Sequence, residues 1–450
     1  MADFTKIKGV FAKDTVLRSG ISDVQSYIGY PQADIYGLCA DFENSTFTRL
    51  AGAVGKTGGT DFSSIAPWSG MRRCVLADNG TVNAYYGEQG YVEDGTAGQV
   101  MVEIPKFYYR VVPLKLQKNT DYTGAMGYHL LKALYYISST PKNGFEVHPL
   151  FRIGNRVISK AYISAYEGCI YDVSAGVYLQ EDEQVADFTA GTGDKLSSIA
   201  GVKPCSGLSQ QLTRPNVRTI CHNRGTGWEM QTIQAVCAIN LLFMVEYGNC
   251  NWQYSIGMGI SSMASSDRPS YVGSTSSLGN VAGNATSTKD WQGNTQTASG
   301  KVAISYRGIE NFFSNLWKFI DGINVYGDGT MGGGQLFICT DAQYIDSKIT
   351  DNYVSCGFTS ANANNYLKYF GYGNKKFDWL FFVSKTGDGA NSYQPVGDYC
   401  WSVANFDGTG YASMSGVYAY GHSDGGFTTG TNTNINAFAQ NTGARLIYIG

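Results

Sequence analysis

Two stretches of this 450-residue chain keep the three-to-four spacing of apolar residues that an amphipathic helix requires. Residues 228–247 read WEMQTIQAVCAINLLFMVEY and are followed by Gly248, a typical helix stop. Residues 309–320 read IENFFSNLWKFI and form the second predicted helix. No helical period persists after Gly327. The chain is therefore predicted to be of the α+β class, with two core helices and short, irregular β-sheets.

Between and around these helices the sequence favours strands and turns. β-branched and aromatic residues dominate 100–112 and 157–166, and the last strand is predicted at 445–449. Residues 1–95 are rich in Gly, Asp and turn dipeptides, which indicates a small β-rich N-terminal module for attachment or oligomerisation. The polar, acidic segment 172–204 is interpreted as a surface insertion.

Charge excludes two broad classes of protein. Charged residues make up 15% of the chain, and Lys plus Arg total 33 against 36 for Asp plus Glu. A chain without basic excess cannot neutralise a run of phosphates, so we expect no nucleic-acid partner. Disordered chains are poor in aromatic residues, whereas 14% of this chain is aromatic. With both classes excluded, the composition indicates a folded protein rich in turns.

The chain shows no sign of membrane insertion, secretion or metal binding. We find no apolar run of 18 residues and no N-terminal signal peptide, so synthesis in a reducing bacterial cytoplasm is expected. The ten cysteines are scattered without a CxxC pair, which favours small buried hydrophobic residues over disulfides or zinc ligands. The four histidines share no ligand spacing, and we expect no cofactor or metal.

Six short motifs occur in an order that resembles one fold family. Residues 101–107 read MVEIPKF, 161–168 AYISAYEG, 228–229 WE, 315–321 NLWKFID, 415–421 SGVYAYG and 443–446 GARL. Together they resemble the C-type-lectin-like fold in the branch shared by formylglycine-generating enzymes and the variable proteins of diversity-generating retroelements. The resemblance implies a lectin-type ligand-binding domain over residues 96–450, with Trp317 and Phe319 buried in it.

Three further segments resemble tail-associated proteins of phages and prophages. They are IAPWSGMRR at 65–73, the stretch 203–224 and YRG at 306–308. The resemblance implies a tail-fibre or tail-tip receptor-binding protein in the virion tail. We expect it to form a homotrimer and to contact other phage tail proteins. Its partner would be a host cell-surface protein or glycan.

The last 60 residues carry the candidate recognition surface. From 391 to 450 there is no Lys or Glu, and Arg445 is the one Arg. Tyr, Asn, Ser and Gly fill this segment, the composition of binding loops that combine rigid aromatic area with adaptable hydrogen bonds. The predicted ligand-binding residues are Tyr393, Tyr399, Trp401, Asn405, Phe406, Asp407, Tyr411, Tyr418, Tyr420, His422 and Asp424. A similar cluster, 362–366, is expected to flank the same face.

The lectin-type resemblance also implies that residues 357–442 form a variable region, because retroelement diversification of AAY codons yields residues of this kind. Two alternatives stay open. The C-terminal region of a structural tail component would pack in an oligomer interface, with Tyr399, Trp401 and Tyr411 buried there. A glycan-degrading tip enzyme would instead present two carboxylates across a cleft. Because no nucleophile motif or copper-type cysteine pair is present, we expect no enzymatic activity.

Overall fold

The computed structural model describes residue 30 and residues 34–180, 184–207, 210–329, 332–346, 352–387, 390–393, 395–404, 406–434 and 436–450. Over these residues the protein is mostly β-sheet with few helices. The helices are α1 (Arg214–His222), α2 (Ile233–Tyr247) and α3 (Trp252–Ile256), beside several single 3₁₀ turns. None of the described helices is long and apolar enough to cross a lipid bilayer.

The strands follow one another along the whole described chain. In the first half they are β1 (Ile35–Asp41), β2 (Thr46–Ala51), β3 (Arg72–Leu76), β4 (Val82–Tyr85), β5 (Gln99–Pro105), β6 (Tyr108–Lys118), β7 (Tyr128–Ser138), β8 (Glu146–Val147), β9 (Arg152–Ile153), β10 (Arg156–Val157), β11 (Lys160–Ser164), β12 (Cys169–Asp172), β13 (Val177–Tyr178), β14 (Lys195–Ser197) and β15 (Trp228–Met230). In the second half they are β16 (Gly283–Asn284), β17 (Thr288–Lys289), β18 (Thr295–Gln296), β19 (Ile304–Tyr306), β20 (Ile309–Glu310), β21 (Trp317–Asp328), β22 (Gln335–Cys339), β23 (Tyr353–Thr359), β24 (Asn365–Tyr372), β25 (Val383–Thr386), β26 (Tyr399–Trp401), β27 (Asp407–Met414), β28 (Thr429–Asn434), β29 (Thr442–Gly443) and β30 (Leu446–Tyr448).

Two sheets organise the molecule. The larger runs β2-β1-β7-β24-β26-β28-β27-β21-β22-β23, with β6, β8, β25 and β29 attached to it. The smaller runs β15-β30-β11-β5-β3-β4. Four of the six sequence motifs contribute strands to this smaller sheet, because β5, β11, β15 and β30 are neighbours in it. The predicted closing strand is therefore confirmed as β30.

Helix α2 packs against β1, β7 and β21 of the larger sheet and is buried almost around its whole circumference. The Thr232 hydroxyl caps its first turn by accepting a hydrogen bond from the Ala235 amide. Gly248 ends it in the left-handed conformation, at φ +71°. The prediction over 228–247 is confirmed from Ile233 onward, whereas residues 228–230 form strand β15.

The second predicted helix is wrong. Residues 309–320 contain the whole of the short strand β20, an irregular turn and the start of β21. Asn311, Ser314 and Asn315 all have positive φ, between 45° and 70°, which a right-handed helix does not allow. Strand β21 lies between β22 and β27 and is buried on both faces, so consecutive residues in it are apolar. In the sequence this run resembles the apolar face of a helix. Trp317 and Phe319 are nevertheless buried as predicted.

The described part of the predicted N-terminal module is continuous with the rest of the fold. Strand β1 pairs with β7 and strand β3 pairs with β5, across the boundary expected at residue 95. Residues 1–29 and 31–33 lie outside the described residues, and the attachment role stays a prediction. The insertion at 172–204 is only partly a surface loop, since it contains β13, β14 and the buried Leu179 and Leu196.

Cysteine behaves as the sequence predicts. All ten residues are free thiols, and only Cys39 among them is not fully buried.

Candidate binding surface

Strand β26 carries the central residues of the predicted surface. It pairs antiparallel with β24, which sets Tyr366 opposite Tyr399, and parallel with β28. Side chains alternate along a strand, so Cys400 enters the core while Tyr399 and Trp401 share the other face. Both rings are half-buried.

Four aromatic side chains form a continuous row, which we name the aromatic strip: Tyr366, Tyr399, Trp401 and Tyr420. Ring centroids of successive members are 5.2, 4.6 and 4.7 Å apart. Such separations are typical of attractive aromatic pairs. Tyr420 comes from the turn before β28 and keeps 36% of its surface exposed. The strip therefore joins three separate chain segments into one surface.

Trp317, at the start of β21, supports the strip from beneath. Its ring lies 5.3 Å from Trp401 and 6.1 Å from Tyr420, in edge-on arrangements. It is only 8% exposed and packs in an apolar cluster with Ile260 and Val417. The row of rings thus rests on a buried aromatic floor and not on a loop.

Polar contacts fix the orientation of the strip. The Tyr399 hydroxyl donates to the backbone oxygen of Asn364 at 3.0 Å, and the Ser402 amide donates to the side-chain oxygen of Asn364 at 2.9 Å. The Tyr366 and Ser423 hydroxyls lie 3.4 Å apart. These bonds confirm that the 362–366 cluster flanks the same face as Tyr399 and Trp401.

Two buried carboxyl groups hold the backbone under the strip. Asp424 accepts a hydrogen bond from the Val417 amide at 3.0 Å, and Asp398 accepts one from the Phe427 amide at 2.7 Å. Burial raises the pKa of Asp398 to about 8, and burial also raises the pKa of Asp424 well above its ordinary value. Asp398 therefore favours the neutral form below about pH 8.

Exposed side chains extend the surface beyond the strip. Tyr393 is 66% exposed and its ring lies 5.7 Å from His422. The His422 ring contacts Gln253 of α3 at 3.2 Å, and the next residue, Tyr254, is 85% exposed. Sequence reasoning missed Tyr254, because a five-residue helix is too short for a periodic signal. The Asn251 cap before it was the one available sign.

The single arginine of residues 391–450 adds no charge to the surface near the strip. Arg445 is fully buried and donates to the backbone oxygens of Ser164 and Asn311. Its charge is therefore directed into the core and not toward a ligand.

The structure does not bring all predicted site residues to this surface. Tyr411 is buried with its ring 4.9 Å from Phe319, and Tyr418 is buried beside Ile260. Asp424 is buried as the turn anchor described above. The exposure expected of these three residues is wrong, because each lies on the inward side of its strand or turn.

Three further predicted residues lie outside the strip. Phe406 packs along Gly327, and Asp407 is exposed and pairs with Asp328 across the β21–β27 ladder. Asn405 lies outside the described residues. Tyr399, Trp401 and Tyr420 are thus the predicted residues that come together in the strip, with Tyr393 and His422 paired nearby. Ligand binding by any of them stays a prediction.

No family model matches the chain, and no curated protein sequence matches it. Among solved structures it is similar to the Major Tropism Determinant P3c Variant, at 11% identity over 84% of this chain and 72% of that chain, with a TM-score of 0.24. The I1 Variant matches at 11% identity over 84% of this chain and 71% of that chain, with a TM-score of 0.26. TM-scores this low do not establish a shared fold.

Proposed function

We propose that this protein is a phage or prophage tail-tip receptor-binding protein that recognises a host-surface ligand through the aromatic strip. The observation that carries the proposal is the half-exposed row Tyr366, Tyr399, Trp401 and Tyr420 on a buried Trp317 floor. The sequence resemblance to phage tail proteins supplies the biological setting, a virion tail.

The physical character of the strip suits recognition. Tyr and Trp provide large contact areas and lose little rotamer freedom on binding. Here that freedom is already restricted by hydrogen bonds to Asn364 and by ring contacts. Contiguous exposed aromatic area of this kind is characteristic of interaction sites.

The ligand class follows from charge. Because Arg445 is buried, the strip has no nearby basic side chain from the C-terminal segment to pair with a phosphate or carboxylate. We propose a largely neutral glycan or protein surface as the ligand. Aromatic faces with short amide and hydroxyl neighbours, such as Asn364 and Ser423, serve either one.

Diversification by a retroelement and assembly as a homotrimer belong to the same proposal. The candidate variable region, 357–442, supplies Tyr366, Tyr399, Trp401 and Tyr420, whereas Trp317 lies before it. A reverse transcriptase and an adenine-rich template repeat beside the gene would support diversification. If both were absent, the proposal of diversification would fail, and the proposal of receptor binding would be unaffected.

The test is binding of the purified, fluorescently labelled chain to a panel of bacterial strains. We expect Trp401→Ala to weaken binding roughly 30-fold and Tyr420→Ala roughly tenfold, as central aromatic contacts do. Tyr128→Ala is the matched control, because Tyr128 is 41% exposed and lies opposite Tyr372, six residues along β24 from Tyr366. Undiminished binding by both strip variants would overturn the proposal.

The same variants separate the two alternatives. In a structural tail component the strip would be an oligomer interface, so Trp401→Ala would lower the mass measured by light scattering. In a receptor-binding protein the mass stays that of the wild type. For a glycan-degrading enzyme, Asp398 and Asp424 are poorly placed, since both are buried and accept backbone hydrogen bonds.

A further inference from the structure

A cavity of about 190 Å³ lies at the start of α2, and none of its lining residues belongs to the aromatic strip. Its walls come from Thr232 and Gln234 of the helix start, from β22, from the segment 146–154, from residues 376–379 and from the chain end at Ile447 and Ile449. A cavity of roughly 150 Å³ is already large enough to hold a benzene-sized molecule. Size alone therefore admits a small organic ligand.

Gln234 lines the cavity, and its side chain carries an unsatisfied hydrogen-bond acceptor. The residue is 91% buried, and its amide nitrogen donates to the backbone oxygen of Cys339 at 3.0 Å. Its amide oxygen, Oε1, is buried and has no hydrogen-bond partner in the protein. A buried polar atom left without a partner costs stability, and a ligand that donates a hydrogen bond there would recover it.

The remaining walls are mainly apolar and partly aromatic. Phe377 and Trp379 lie on one side, and Leu150, Ile338 and Ile447 are among the aliphatic contacts. All five are buried. Flat aromatic molecules pack well against such walls.

The charged residues among those that line the cavity are exposed. Glu146, Arg152 and Lys376 face solvent, so water screens their charges. A ligand lying deeper would meet the neutral Gln234 amide. Because burying an unpaired charge is costly, the interior favours a neutral molecule.

We propose that this cavity binds a small neutral aromatic molecule carrying one hydrogen-bond donor, of the phenol or indole class, with the donor directed at Oε1 of Gln234. The site is independent of receptor binding by the strip.

Phenol and toluene are suitable probes, because they have nearly the same shape and differ in the donor. Their affinities are measured by calorimetric titration of the full chain. In Gln234→Met the acceptor is replaced by an apolar side chain of similar length. We expect the ratio of phenol to toluene affinity to fall roughly tenfold from wild type to Gln234→Met, the value of one buried hydrogen bond.

A variant that fills the cavity provides the second measurement. This measurement does not require that Gln234→Met folds. Ile449→Trp places a larger side chain in the wall, one residue from the chain end, and should abolish binding of both probes. Val177→Trp is its control, at a half-exposed position that does not line the cavity. The proposal is overturned if neither probe binds the wild type, if Ile449→Trp binds both unchanged, or if Gln234→Met keeps the wild-type ratio.

Discussion

Asp398 is a fully buried carboxyl group and precedes Tyr399 of the aromatic strip in the chain. Burial raises its pKa from 3.8 to about 8, against the smaller opposing effect of hydrogen bonds from the Phe427 and Thr428 amides. Below about pH 4 both the folded and the unfolded chain hold this proton, and the stabilisation is complete. Between about pH 4 and about pH 8 only the folded chain holds it, so stability falls as pH rises.

We expect this group to contribute a loss of about 1.4 kcal/mol in the free energy of unfolding for each pH unit in that window. Asp398→Asn keeps the size of the side chain and removes the titration. Urea unfolding of both proteins across the window measures the difference. If the wild type loses no more stability than Asp398→Asn as pH rises, the assignment of a neutral carboxyl group to Asp398 in the folded chain is wrong.

For individual residues, the sequence predicts some members of the surface and misplaces others. Tyr399, Trp401 and Tyr420 were predicted from composition and lie together, whereas Tyr411 and Tyr418 are inside. Composition says which residue types gather in a segment. It does not say which face of each strand is buried, because that depends on pairing with β21, β24 and β28.

The turn between β27 and β28 is the element on which Tyr420 depends. Gly416 opens it at φ +71°, and a Cβ atom there would collide with Oδ1 of Asp424. Gly421 has φ +57°, yet a Cβ atom there would meet nothing within 4 Å. The two glycines thus share a positive φ and differ in the space around them.

We expect Gly421→Ala to lower the free energy of unfolding by about 1 kcal/mol, the cost of a left-handed alanine. Gly416→Ala should cost about 2 to 4 kcal/mol, since overpacking is added to that strain. Thermal unfolding and host-cell binding of both variants check this. Equal losses in the two variants would show that Asp424 does not fix the turn.

Elements were predictable where local signals agreed with the final packing. Helix α2 has apolar periodicity, a Thr232 cap and a Gly248 stop, and it forms at 233–247. Residues 309–320 have periodicity but no cap, and Asn311, Ser314 and Asn315 adopt positive φ through contacts that only the folded chain supplies. The Asn315 amide group, for example, accepts from Ser270 and donates to Glu167.

For the whole molecule, the larger sheet packs on α2, and the strip and the cavity are formed by separate sets of residues. The strip depends on long-range pairing among β21, β24, β26 and β28, over more than a hundred residues of chain. Such pairing leaves no local pattern in sequence, which explains why Trp317 was predicted to be buried but not to support the site.

Hydrogen–deuterium exchange of the full chain, with and without surface extract from a strain that binds it, tests receptor recognition by the strip most directly. We predict slower exchange on binding in the backbone around 364–366, 399–402 and 418–424, because ligand contact shields and rigidifies those segments. Peptides from two strands serve as internal controls: β2 is an edge strand of the larger sheet, and β13 belongs to a separate three-stranded sheet. Protection confined to regions other than those three segments would contradict recognition through the aromatic strip.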